Sequence, residues 1–344
     1  MDKQSLFEML NALCAAPGVS GDEAPAARAA LPYLEGFDCA LTPAGSLLGC
    51  RRTDGPRLLL TAHLDQIGLM ALSVEEGGFV RIAPVGGVDR RALAAARVTI
   101  HTAEGPLPGV VTSVPPHLQT GEPTPPKVED LFVDTGLPAE QARKRVRPGD
   151  RMTFDGPPLR LGGDRVTGAA LDDRCGCAAV ILAARELLSR RPELSLCVLL
   201  ASQEETGSAG AKTGAFETAP DLALAVDVSF GSTPGETGAA SGRLGGGPMI
   251  GLAPILKKEV SQGLIETAKR EGIPYQLEVM GGRTGTDADL IATAGGGVPA
   301  GLVSIPLRYM HTPGELVSLE DVLSTARLLA AYGACALQTK EGSV

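Results

Sequence analysis

The chain has 344 residues, more than one ordinary core accommodates, which points to two structural units. Its formal charge of −9, with no cluster of Lys or Arg, argues against nucleic acid and anionic membranes as partners. Hydrophobic residues make up 44% and charged residues 21%, a globular balance, and no apolar run is long enough to cross a bilayer.

The N-terminal stretch MDKQSLFEML lacks the charged lead, long apolar core and cleavage site of a signal peptide. It reads as a short amphipathic helix. The seven cysteines are Cys14, Cys39, Cys50, Cys175, Cys177, Cys197 and Cys335. None forms a CxxC pair, which argues against a thiol zinc site or a disulfide framework. A reducing cytosol, and so a cytoplasmic location, is expected. Trp is absent and aromatics are 3%, against an aromatic sugar-binding cleft.

Short apolar runs read as buried strands at Arg57–Ala62, Leu194–Ala201, Leu222–Val226 and Gly301–Pro306. Helices are predicted at Cys175–Ser189, Ser261–Glu271 and Leu319–Leu337. Such alternation implies an α/β fold: a doubly wound mixed sheet with helices on both faces. The middle of the chain differs. Residues 73–164 are rich in Val, Thr, Gly and Pro, and VRIAPVGG, ARVTIHT, LPGVVTSV and DRMTFDG read as short strands of a small β-barrel or sandwich. The predicted division is residues 1–72 and 165–344 for the α/β unit, with 73–164 inserted. PPHLQTGEPTPPK is a Pro-rich loop of that insert.

Each buried strand runs into residues that bind divalent metal. The first leads to His63 and Asp65, the second to Glu204 and Glu205, the third to Asp227, and the fourth to His311. Sites in open α/β sheets form at the carboxyl ends of strands, so these residues can converge. Asp172, at a loop-to-helix junction in GAALDDRCG, can cap a helix or bridge two ions through its two oxygens. Two histidines and several carboxylates suit zinc, cobalt or manganese better than calcium, and one shared Asp makes a two-metal site plausible. Of the adjacent Glu204 and Glu205, one can ligate while the other takes a proton. Asp65 can accept the second ring N–H of His63 and fix its orientation.

Taken singly, each residue has a plain reading: a half-buried His, a solvated Glu pair, a helix cap, a turn Asp. Their joint order resembles metallopeptidase family 42, the TET-type and glutamyl or deblocking aminopeptidases, some of which carry endoglucanase labels. The resemblance lies in AHLDQIGLM, GAALDDRCG, SQEETGSAGA, AVDVS, GTDAD and YMHTPGELVSLEDV, and in VRIAPVGGVDRR, PPHL and VRPGD of the insert. It runs over nearly the whole chain. It implies hydrolysis of N-terminal residues from peptides with a free N-terminus, by a hydroxide bridging two divalent ions, Zn2+ or Co2+. His63, Asp172, Asp227, Glu205 and His311 would hold the ions, with Asp172 as the bridge. Glu204 would be the general base and Asp65 the carboxylate behind His63. The insert would help build a homo-oligomer, a dodecameric shell in many relatives. Thr286 and Asp287 of GTDAD would shape the site. In relatives the peptide bond after the bridging Asp is often cis, so Asp172–Asp173 is expected to be cis.

The chain departs from the pattern at Gln66, where Glu is usual, and Arg283 is assigned no role. His101 is expected in an insert strand, partly exposed, and His117 in the Pro-rich loop. Cys175 and Cys177 are expected to pack, and Arg174 to pin the DDR turn by charge-paired hydrogen bonds. Gly245–Gly247 and Gly295–Gly297 lack the following Lys-Ser/Thr of a phosphate loop. The rival readings are a related di-zinc deacylase or carboxypeptidase-like hydrolase, a metal-free glycosidase, and a non-catalytic shell-forming paralogue.

Overall fold

The computed structural model describes residues 2–118, 125–235 and 241–337. Its helices are α1 (Lys3–Ala15), α2 (Ala24–Ala30), α3 (Ala139–Arg145), α4 (Leu171–Arg190), α5 (Ala209–Thr218), α6 (Lys258–Arg270), α7 (Asp287–Ala292) and α8 (Leu319–Ala336). The strands before the barrel are β1 (Asp38–Leu41), β2 (Leu47–Arg51) and β3 (Arg57–His63). The barrel strands are β4 (Gly68–Val74), β5 (Val80–Val85), β6 (Arg97–Thr102), β7 (Gly105–Val111), β8 (Phe132–Asp134) and β9 (Arg151–Phe154). After it come β10 (Leu159–Arg160), β11 (Arg165–Gly168), β12 (Ser195–Ala201), β13 (Leu222–Phe230), β14 (Met249–Leu252), β15 (Gln276–Val279), β16 (Ala300–Arg308) and β17 (Glu315–Ser318).

The large sheet runs β1-β2-β12-β3-β13-β16-β17-β11-β10, with β14 beside β16 and β15 beside β14. Its centre, β12-β3-β13-β16, is parallel, and antiparallel strands flank it on both sides. The central strands read as unbroken apolar runs because both faces are covered. In β3, Leu58, Leu60 and Ala62 join the larger core while Leu59 joins the core on the opposite side. In β12, Leu196, Val198 and Leu200 alternate in the same way with Cys197, Leu199 and Ala201. Helices α1, α4, α6 and α8 contribute to the first core, whereas α5 and α7 cover the other face. Each fully buried Leu contributes about 1.5–3 kcal/mol. Leu60→Ala at the centre would cost about 2–5 kcal/mol, because packed helices cannot close over the gap.

Helix α1 illustrates the local logic. Asp2 caps it by accepting the N–H of Ser5 at 2.8 Å. Leu6, Met9, Leu10 and Leu13 then form one apolar stripe at helical spacing, and all four are buried. Helix α4 is apolar nearly all round and packs beneath the central strands.

The strands between Gly68 and Phe154 close into an antiparallel barrel, ordered β4-β5-β8-β7-β6-β9. Closure leaves no free strand edge. Its own core includes Leu69, Val80, Ile82, Val98, Ile100, Val133 and Met152. The barrel begins at Gly68, two residues after Gln66, so the chain passes from the sheet's carboxyl edge directly into the barrel. Strands β10 and β11 lie on the large sheet. Of the Pro-rich loop, residues 119–124 lie outside the described residues, and His117 is exposed in a short 3-10 turn, Pro116–Leu118.

Two expectations are corrected. Cys50 and Cys197 form a disulfide, although the cysteine spacing predicts none. They lie 147 residues apart in sequence but face each other in the antiparallel pairing of β2 with β12, a proximity invisible to spacing rules. The cysteine pattern therefore lends no support to a reducing compartment. Arg174 makes no charge-paired hydrogen bond in the DDR turn. It is fully buried, and its Nη1 donates to the carbonyls of Leu13 at 2.6 Å and Ala16 at 3.5 Å. Those carbonyls close α1, where the helix carries its negative end.

Candidate metal centre

His63 is the last residue of β3, and parallel register sets Ala201 of β12 beside it. On the other side, Ala225 of β13 pairs with Thr61. Two residues further along, Asp227 and His63 stand together, with Oδ1 3.8 Å from Nε2. The apolar run places Asp227 just past the end of its strand; β13 in fact continues to Phe230, so the residue lies inside it. His311 lies three residues beyond the end of β16, in the left-handed region at φ 63°.

Asp172 arrives from the opposite direction, at the start of α4. The Asp172–Asp173 peptide bond is cis, as expected. Both residues have non-helical backbone angles, so the regular helix begins after them. Asp173 acts as its cap: one carboxylate oxygen accepts the N–H of Gly176 at 3.1 Å and the other that of His63 at 3.2 Å. A Cβ at position 176 would lie 2.2 Å from that carboxylate, which is why glycine separates Cys175 from Cys177. Both thiols are buried, as expected for packing residues, and Cys177 Sγ donates to the His63 carbonyl at 3.0 Å.

The side chains meet in two groups. His63, Asp172 and Asp227 offer ligand atoms all within 4.8 Å of one another, and so do Asp172, Glu205 and His311. Asp172 belongs to both. Its Oδ1 is 3.0 Å from His63 Nε2, and its Oδ2 is 3.4 Å from His311 Nε2. Glu205 Oε2 is 3.5 Å from the same His311 nitrogen. Glu204 is in neither group, and nor are Asp65 and Gln66.

The ring of His63 is oriented from behind. Its Nδ1 lies 3.1 Å from the backbone oxygen of Asp65. Carbonyl oxygen only accepts, so Nδ1 donates to it, and Nε2, facing Asp172 and Asp227, is the ring nitrogen left to ligate an ion once deprotonated. With Nε2 deprotonated the three would be acceptors repelling one another, and a divalent cation between them would turn that repulsion into attraction, so the donor set fits a metal ion. The expectation for Asp65 needs amendment here. Its carboxylate is 3.6 Å from Nδ1 and is held by the turn after β12, accepting Glu204 N–H at 3.0 Å and Glu205 N–H at 3.2 Å. Glu204 and Glu205 lie in that turn, not on an extended segment.

Electrostatics bear the marks of crowded acids in a dry place. Burial pushes the carboxyls of Asp173, Asp227 and Glu315 well above the usual range. Burial and the charge of Asp172 push Glu205 up to about 8. Glu204 is also raised, chiefly by burial. Burial opposes charge on His311, but its hydrogen bond to Asp172 and the nearby Glu205 raise it to about 9. Burial likewise opposes ionisation of Asp172, yet hydrogen bonds from His311 and His63 hold it below the usual range. Bound cations favour the deprotonated forms throughout.

Sequence reasoning missed Glu315. Fully buried at the start of β17, it accepts the N–H of Asp172 at 3.0 Å and of His311 at 3.0 Å. It thereby ties two members of the second group together. Glu23 was missed as well; it accepts Gly21 N–H at 2.6 Å and Gln203 N–H at 3.2 Å beneath the glutamate turn. Left-handed residues cluster around this region: Ala170, Gln203, Ser208, Tyr309 and His311 all have positive φ. Such non-glycine conformations cost about 1–2 kcal/mol each and concentrate where function imposes geometry. Asp287 is buried, and Thr286 caps α7 beside it.

A mixed α/β sheet, an inserted closed barrel and a carboxylate–histidine cluster at the parallel strand ends define a metallohydrolase-like class of protein. The family model described as M42 glutamyl aminopeptidase matches residues 45–328, and the chain belongs to that family. A lysyl aminopeptidase of Pyrococcus furiosus is 31% identical over 94% of this chain and 96% of its own length. Among solved structures, aminopeptidase APDkam598 from the archaeon Desulfurococcus kamchatkensis is 32% identical with a TM-score of 0.87, covering 96% of this chain and 94% of that one. PhTET1-12s, described as a dodecamer in the asymmetric unit, is 30% identical with a TM-score of 0.85, covering 94% of this chain and 98% of that one. The chain is accordingly a peptide hydrolase of the aminopeptidase kind.

Proposed function

We propose that the chain is a two-metal aminopeptidase acting on peptides with a free N-terminus. The observation that carries this reading is the pair of ligand groups sharing Asp172. His63, Asp172 and Asp227 would hold one divalent ion, and Asp172, Glu205 and His311 the other. Imidazole nitrogen with carboxylate oxygen suits Zn2+ or Co2+.

A pair of such ions supplies Lewis acidity for a peptide carbonyl and acidifies water near neutral pH. The protein's own groups do the rest. Glu204, outside both ligand groups and raised by burial, is suited to take a proton from water and return it to the leaving amine. Asp65 fixes the turn that carries Glu204 and Glu205, so base and ligand keep their spacing. Asp173 and Glu315 pin the backbones of His63, Asp172 and His311.

The named preferences in the family differ, glutamyl in its description and lysyl in the relative above. Membership alone therefore does not specify the residue removed. A related Pyrococcus horikoshii TET1 peptidase is described as assembling into a tetrahedron or a large octahedral shell. By that likeness we read this chain as a homo-oligomer, with the inserted segment near residues 73–164 helping to build it. No helix among the described residues is long and apolar enough to cross a membrane.

The test is a panel of aminoacyl-nitroanilides and of peptides blocked at either end. Activity should require a free N-terminus, vanish on chelation and return with Zn2+ or Co2+. Turnover that persists after thorough chelation, or that requires a free C-terminus, rules the reading out.

A further inference from the structure

The two ligand groups are walled differently. His63 and Asp227 are side by side on neighbouring strands of the sheet. The side of the second group is closed by the barrel, through the loop that leaves β5. A Cβ at Gly86 would lie 2.8 Å from Ile67 Cγ2, 3.1 Å from Glu205 Oε2 and 3.2 Å from Glu205 Cβ, and Gly86 has φ 78°. A Cβ at Gly87 would lie 2.9 Å from His311 Nδ1 and 3.1 Å from His311 Cε1, the two atoms it would meet within 4 Å. Two residues on, Asp89 N–H donates to the His311 carbonyl at 3.2 Å.

The backbone of His311 is thus fixed from both sides, by Asp89 at its carbonyl and by Glu315 at its N–H. Its ring rests against a backbone that carries no side chain, and the far ring nitrogen meets Asp172 and Glu205. We infer that the Gly86–Gly87 pair of the barrel is a positioning element for the Asp172–Glu205–His311 ion alone. The barrel then sets the affinity of one ion, while the sheet sets the other.

Gly87 is the sharper probe, since its backbone angle is not the left-handed one of Gly86. A methyl there meets a side chain that can turn aside. Folding should survive, and the ring should leave its ligand position. This rests on the two-ion reading above.

Titrating Co2+ into metal-stripped protein by calorimetry, with elemental analysis, separates the outcomes. Wild type should bind two ions. Gly87→Ala should keep one with unchanged affinity and bind the other at least tenfold more weakly. Gly162→Ala, where a Cβ meets nothing within 4 Å, should match wild type. His311→Ala should itself bind one ion, and adding Gly87→Ala to it should change nothing further, because the ring is gone. That pairing also covers a Gly87→Ala protein that misfolds: if the ring is the cause, removing it restores folding. Two full-affinity ions in Gly87→Ala, or weakening of both, overturns the inference. Fewer than two ions in wild type defeats the two-ion reading instead.

Discussion

The carboxylate of Asp65 holds the main chain of Glu204, with Oδ1 accepting its N–H at 3.0 Å, while Oδ2 takes the next N–H in line. One side chain from the end of β3 thereby sets the turn after β12. Charge-assisted bonds of this kind are worth about 1.5–3 kcal/mol each. Asp65→Ala should lower kcat about 10–100-fold, through misplacement of the turn. Steady-state kinetics beside metal content will check this; wild-type kcat in the variant removes the positioning role.

Glu204→Gln keeps size and hydrogen bonding but cannot take a proton. Metal content should stay at the wild-type value while kcat falls about 10²–10⁴-fold. Near-normal turnover at full metal content would take Glu204 out of the reaction.

Asp172 is common to both ligand groups, whereas Asp227 and Glu205 each belong to one. Asp172→Ala should weaken both ions, Asp227→Asn chiefly one, and Glu205→Gln chiefly the other. Stepwise metal titration distinguishes these patterns. Independent behaviour of all three variants would break the bridging assignment.

Asp287 gives a pH signature. Burial and the nearby charge of Glu204 raise it from the usual 3.8 to about 8. Between those values the folded protein holds a proton that the unfolded chain has released. Its contribution to stability therefore falls as pH rises through that window and levels off above it. Asp287→Asn removes the dependence. In metal-free protein the variant's advantage should grow between pH 5 and pH 9, reaching a few kcal/mol, on the order of large single-site effects. Denaturant midpoints at the two pH values measure it, and a constant gap would contradict the raised carboxyl.

The strand ends were legible because parallel strands buried on both faces leave an unmistakable apolar run, and the segment after each run is short and polar. His63, Glu205 and His311 could be found that way. Asp227 was placed just beyond its strand rather than inside it, since an unbroken buried run does not mark where a strand stops pairing. Glu315 was not legible: a glutamate four residues after a histidine in a turn carries no periodic signal, and its value lies in two N–H groups brought to it by the fold. Strands as short as β14 and β15 and a helix as small-residued as α5 likewise give no pattern, because neighbours rather than their own side chains define them. The Cys50–Cys197 pair depends wholly on strand order, which local spacing cannot express.

The grip of Arg174 on the carbonyls of Leu13 and Ala16 makes the first helix part of the site's foundation. The guanidinium sits directly after the two aspartates of the DDR turn, so whatever loosens that helix loosens them. A recombinant chain begun at residue 17 would strand a buried positive charge and let its neighbours drift. Affinity tags and trimming are therefore safest kept clear of the amino terminus.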